Sequence, residues 1–123
     1  MYELIVERSF SAAHRLCDYD GPCARLHGHN YRVECSLVGE ELAGNGMLMD
    51  FGEIKTFCDE ILDALDHQCL NELAPFTEQN PTSENLARYL FEQMESALAD
   101  RPVHMGYVRV WETAGQSAVY RKG

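Results

Sequence analysis

The chain has 123 residues, is 46% hydrophobic and carries a formal net charge of −10, which suits one domain with its own core and is too short for two. The acidic balance disfavours nucleic acid or an anionic membrane as a general partner. No apolar run is long enough to span a bilayer, and Glu3, Glu7 and Arg8 make the first residues unlike a signal peptide.

In chain order, residues 2–14 alternate as a half-buried strand, with Tyr2, Leu4, Val6, Phe10, Ala12 and His14 on one parity. Cys23 then stands three residues before His27-Gly28-His29. The strand expected over residues 29–38 places Tyr31, Val33, Cys35 and Leu37 on the parity of His27 and His29. If the two strands pair, all three histidines share one inward face, and Gly28 leaves room for close approach. Residues Glu40 to Gly46 read as a loop. Asp50 and Glu53 resemble a helix cap and its capping partner ahead of an apolar stripe of Ile54, Phe57, Cys58, Ile61, Leu62 and Leu65, with the helix ending near Asp66. Thr82 can cap a second helix, which buries Leu86, Leu90, Met94, Ala97 and Leu98 and closes before Pro102. Residues 104–112 alternate again, with Val108, Val110 and Glu112 on one side, and Ser117 to Arg121 form a short last strand.

That order predicts an α+β domain spanning residues 1–123, with two helices covering one face of a mostly antiparallel four-stranded sheet. A small open sheet has two unpaired edges, so edge-to-edge assembly into a homo-oligomeric barrel is expected. The five cysteines, Cys17, Cys23, Cys35, Cys58 and Cys69, are odd in number and irregularly spaced. They argue against a disulfide framework and for a reducing, cytoplasmic setting.

Three neutral imidazoles with an open fourth position make a catalytic zinc site, whereas a fourth protein ligand closes it into a structural one. The role of Cys23 therefore separates enzyme from scaffold, and the spacing leaves both open. Asp66-His67 reads either as a polar helix terminus, with the imidazole near the dipole's negative end, or as a reactive pair. Glu112 reads either as a solvated strand end or as a carboxylate able to accept paired N–H bonds from a guanidine-like heterocycle edge, such as a pterin or guanine. Arg8, Arg15, Arg25 and Lys55 are candidates to hold an anionic substrate, with solubilising surface charge as the plainer account of each. A Gly-rich phosphate loop is missing, so no nicotinamide or flavin is expected.

Six segments together resemble the family of 6-pyruvoyl-tetrahydropterin and 6-carboxytetrahydropterin synthases. They are Phe10–Leu16, the Cys-x3-His-Gly-His run from Cys23 to His29, Gly46–Phe51, Leu65-Asp66-His67, Asn80–Asn85 and Val110–Thr113. The resemblance implies the tunnelling fold, with subunits joining their sheets into a barrel and building active sites at subunit boundaries. It also implies that His14, His27 and His29 hold zinc, that Cys23 is a catalytic thiol, and that Asp66 and His67 are its proton-transfer partners. Thr82, Ser83, Glu84 and Glu112 match the segments that hold the pterin. The three-residue spacing between Cys23 and His27 is similar to that of the bacterial 6-carboxytetrahydropterin synthases. By that resemblance, the expected substrate is 7,8-dihydroneopterin triphosphate. The products would be 6-carboxy-5,6,7,8-tetrahydropterin, acetaldehyde and triphosphate, on the route to queuosine. The alternatives are a 6-pyruvoyl-tetrahydropterin synthase, which keeps the side-chain carbons, and a non-catalytic structural zinc domain.

Overall fold

The computed structural model describes residues 1–123. Strands β1 (Tyr2–His14) and β2 (His27–Gly39) are followed by helices α1 (Phe51–Asp63) and α2 (Ser83–Ala97) and strands β3 (His104–Thr113) and β4 (Gln116–Tyr120). The strands form one antiparallel sheet in the order β1-β2-β3-β4. In the β1–β2 ladder His14 lies opposite His27, Ala12 opposite His29 and Phe10 opposite Tyr31. Residues opposite each other in such a ladder project from the same face. The expected parity is therefore realised, and the second strand starts two residues earlier than its alternation suggested, at His27 itself.

That face is the buried one. Val6, Phe10, Tyr31, Val33, Cys35, Leu37, Val108 and Val110 meet Ile54, Cys58, Leu62 and Leu65 from the first helix and its exit, and Leu86, Leu90, Phe91 and Met94 from the second. Phe57, Ile61 and Ala97 flank the stripes only partly buried. The opposite face is left open. On it Trp111 lies under the guanidinium groups of Arg32, 3.7 Å from its ring centre, and Arg109, at 4.3 Å. Beside them Tyr107 donates its hydroxyl to Glu34, and that bond pushes the phenol up to about 12. Where the β2–β3 register slips between Ser36 and Leu37, a Cβ on Gly106 would come within 2.5 Å of Ser36 Oγ, so a side chain there would push that hydroxyl off its bond to Glu3.

Two helix-end expectations need correction. Asp50 occupies the cap position of α1, but its side chain makes no capping bond. Glu53 is drawn away to Arg101, so the reciprocal capping pair does not form. The helix also stops at Asp63, and Asp66 lies in the turn that follows. At α2 the expectation holds, since Thr82 Oγ1 accepts from Asn85 N at 3.1 Å. Thr82→Ala is expected to cost about 1 kcal/mol of stability, read as a lower midpoint in urea denaturation, with Thr82→Ser restoring most of it. An unchanged midpoint would show that the cap carries nothing.

Candidate active site

The ladder pairing brings His14, His27 and His29 to one end of the covered sheet face, where one ring nitrogen from each lies within 4.8 Å of the other two. His14 is 1% exposed. Its Nδ1–H donates to the carbonyl of Pro81 at 2.7 Å, just before α2, and Tyr31 Oη stands 3.2 Å from the same nitrogen. His27 Nδ1–H likewise donates to the carbonyl of Arg25 at 2.7 Å. A carbonyl can only accept, so each bond fixes its imidazole with Nδ1 protonated and Nε2 bare. The two bare Nε2 atoms then face each other at 3.0 Å. His29 Nε2 is buried with no partner.

Two bare nitrogens facing each other beside a third with no partner are an unfavourable arrangement unless a cation sits among them. Burial pushes the pKa values of His14 and His29 down, which keeps both rings neutral as metal ligands must be. The donor set therefore fits a metal ion. Cys23 is not in the convergent group. It sits in the short 3-10 turn Pro22–Ala24, pinned by its carbonyl, which accepts from Leu16 N at 2.8 Å.

Glu112 is brought beside the triad, with Oε1 3.8 Å from His14 Nε2 and its side chain mostly covered. Asp66 and His67 form a second constellation at the open edge of β1. His67 N donates to Ser11 O at 2.6 Å, and Ser11 N donates to Asp66 Oδ1 at 2.8 Å. The Ser11 amide, with help from His67, holds the Asp66 carboxyl below the usual carboxylate range. The other carboxylate oxygen lies 2.9 Å from His67 Nδ1. These contacts hold His67 at φ 58°, in the left-handed region, with its ring 80% exposed. That conformation is uncommon for a residue with a side chain, and the paired bonds to β1 account for it.

A cavity of about 460 Å3 joins the two constellations, lined by His29 and Asn30 on one side and His67, Gln68 and Cys69 on the other, with Ser11, Ala12, Ala13 and Gly28 between. Within the chain Gly28 is not needed to make room for the metal. A Cβ there would meet only the Ala12 carbonyl, at an ordinary 3.7 Å, and what the missing side chain spares is the cavity. Thr82, Ser83 and Glu84 open α2 directly after Pro81, whose carbonyl orients His14. Of the basic candidates, Arg8 is taken by a two-pronged pair with Asp59, both bonds 2.8 Å, and faces the helix layer. Tyr31 and the Pro81 carbonyl are parts of the site that sequence reading missed. Tyr31 could have been found, since it follows His29 by two on the same strand.

Residues 3–123 match the 6-pyruvoyl tetrahydropterin synthase family. The chain belongs to that family. It is 36% identical over 102 residues to the 6-carboxy-5,6,7,8-tetrahydropterin synthase of Synechocystis sp., covering 79% of this chain and 78% of that one. It is 35% identical over 128 residues to the human 6-pyruvoyl tetrahydrobiopterin synthase, covering 92% and 86%. The solved structure of Caenorhabditis elegans 6-pyruvoyl tetrahydropterin synthase superposes with a TM-score of 0.86 at 33% identity, over 100% of this chain and 98% of that one. The four-stranded antiparallel sheet with two helices on one face is thus the tunnelling fold expected from the motifs. No helix is long and apolar enough to cross a membrane.

Proposed function

We propose that this chain is a zinc-dependent carbon–carbon lyase acting on 7,8-dihydroneopterin triphosphate. It would release 6-carboxy-5,6,7,8-tetrahydropterin, acetaldehyde and triphosphate, supplying the cytoplasmic route to queuosine. The observation that carries the reading is the inward convergence of His14, His27 and His29 with the Cys23 thiol outside the donor group. Three protein donors leave a coordination position for substrate. Zinc bound there would supply Lewis-acid stabilisation of an oxyanion developing on the substrate side chain.

The remaining roles fall to side chains. Cys23 acts as general base on one face of the side-chain carbons. On the other, Asp66 holds His67 Nδ1, leaving the exposed Nε2 to exchange a proton with substrate. Glu112 accepts two N–H bonds from the amino-pyrimidinone edge of the pterin, while Thr82, Ser83 and Glu84 close on the ring from the start of α2. The end strands are β1 and β4, and beyond Ser11–Ala13, where β1 bonds to residues 66–69, no strand pairs with the outer edge of β1. Joining the end strands between copies would close the homo-oligomeric barrel and complete each site at a boundary between subunits.

Sequence identity alone does not choose the branch, because the 36% and 35% matches carry different names. The three-residue Cys23–His27 spacing favours the carboxy product. Incubating zinc-loaded protein with 7,8-dihydroneopterin triphosphate should yield acetaldehyde and a product whose mass has lost those two carbons. A product retaining the whole side chain would make the chain a 6-pyruvoyl-tetrahydropterin synthase instead.

Glu112→Gln tests pterin anchoring separately from the metal. The substitution keeps size but turns one acceptor into a donor, setting two donors against each other. Affinity for a non-reactive pterin is expected to fall about tenfold or more, with zinc content unchanged. Unaltered calorimetric binding would remove Glu112 from the pterin site.

A further inference from the structure

Away from that site, three sulfur atoms meet in the core. Cys35 on β2, Cys58 on α1 and Met94 on α2 are each at most 3% exposed. Cys58 Sγ lies 3.9 Å from Cys35 Sγ and 3.9 Å from Met94 Sδ. With Val33, Ile61, Leu62 and Leu90 the three residues line a cavity with about 10 Å3 open to a water-sized sphere, room for one small guest. Its lining presents no oxygen or nitrogen atoms. A water there would lack the two to four polar partners it needs. The chemistry on offer is soft sulfur alone, drawn from three separate elements of the fold.

We propose that this cluster is a binding site for a soft monovalent cation, copper(I) being the biological ion of that class. Thiolate and thioether donors suit soft ions such as copper(I) and disfavour hard ones. Two sulfurs 3.9 Å apart can both stand about 2.3 Å from an ion lodged beside the line between them, the length of a metal–thiolate bond, and Cys58 Sγ has such a neighbour in both Cys35 and Met94. Binding needs no electron transfer. The Cys58 S–H bond breaks, its proton goes to solvent and an S–Cu bond forms, while the Cys35 thiol and the Met94 thioether donate lone pairs. One positive ion against one thiolate leaves the site neutral, which an apolar core tolerates where a bare charge is not. The competing account is packing alone, since buried thiols also behave as small hydrophobes.

The full zinc-loaded chain carrying Cys17→Ser, Cys23→Ser and Cys69→Ser, which removes every other thiol, is titrated anaerobically with copper(I) against a chromophoric copper(I) chelator. One equivalent is expected to bind, with three sulfurs and no nitrogen around the metal by X-ray absorption. Met94→Leu in that background conserves core volume, so it should fold while losing one sulfur from the shell and weakening copper(I) binding about tenfold. Failure to compete with the chelator, nitrogen coordination, or an unchanged sulfur count in the Met94→Leu variant would each overturn the proposal. Packing would then be the whole role of the cluster.

Discussion

His14→Ala is expected to empty the metal site and abolish turnover together. Losing an outer-shell partner of a metal site already costs about 10–100-fold in affinity, and His14 is one of only three converging donors. Its removal should therefore cost more than that, enough for zinc to be absent from purified protein by metal analysis. The variant also loses the bond from Nδ1 to the Pro81 carbonyl in a buried place, and an unsatisfied buried acceptor costs about 1–3 kcal/mol. A fall in activity from His14→Ala alone could thus reflect damage to the start of α2. His27→Ala separates the two effects, because its partner, the Arg25 carbonyl, lies at an exposed position and can turn to water. Zinc and activity should vanish in both variants, while the denaturation midpoint falls clearly only for His14→Ala. Full zinc occupancy with normal turnover in either would remove the triad from the mechanism.

The convergence of the three histidines was legible in the sequence because strand geometry is strictly two-periodic. Once residues 2–14 and 27–39 pair antiparallel, parity alone puts His14, His27 and His29 on one face, and the burial of Phe10 and Tyr31 says which face is inward. The helical stripes were legible for the same kind of reason at their own period. Long-range competition was not. Glu53 stands at the right offset to complete a capping pair with Asp50, yet Arg101, 48 residues away, takes its carboxylate. Local spacing carries no information about such a rival.

Backbone carbonyls were equally invisible. The groups that fix the tautomers of His14 and His27 belong to Pro81 and Arg25, and any residue type presents the same carbonyl. The Asp66-His67 turn shows a related limit. Read locally it is a polar helix end, but its conformation is set by bonds to Ser11 on a strand 55 residues earlier. Arg8 is turned away from an open anion site by the same strand parity that gathers the histidines. It shares the inward parity of Phe10 and meets Asp59 on α1.

Cys23→Ala is expected to keep its zinc and its pterin affinity while losing turnover by about 10²–10⁴-fold, the contribution typical of a positioned acid–base group. The thiol lies outside the group of converging nitrogens, so its deletion removes no donor. The turn that carries it is anchored through main-chain atoms, Leu16 N to Cys23 O at 2.8 Å and Arg25 N to Pro22 O at 3.1 Å. A side-chain truncation leaves both bonds intact, and the Arg25 carbonyl that orients His27 should not move. Cys23→Ser sharpens the result. A hydroxyl matches the thiol in shape but ionises far less readily, so a base role predicts that serine rescues little, whereas a purely positional role predicts near-complete rescue. Zinc content, pterin binding and single-turnover rate measured on the same preparations distinguish every case. Loss of zinc from both variants would make Cys23 the fourth ligand of a closed structural site, and the lyase reading would fall with it.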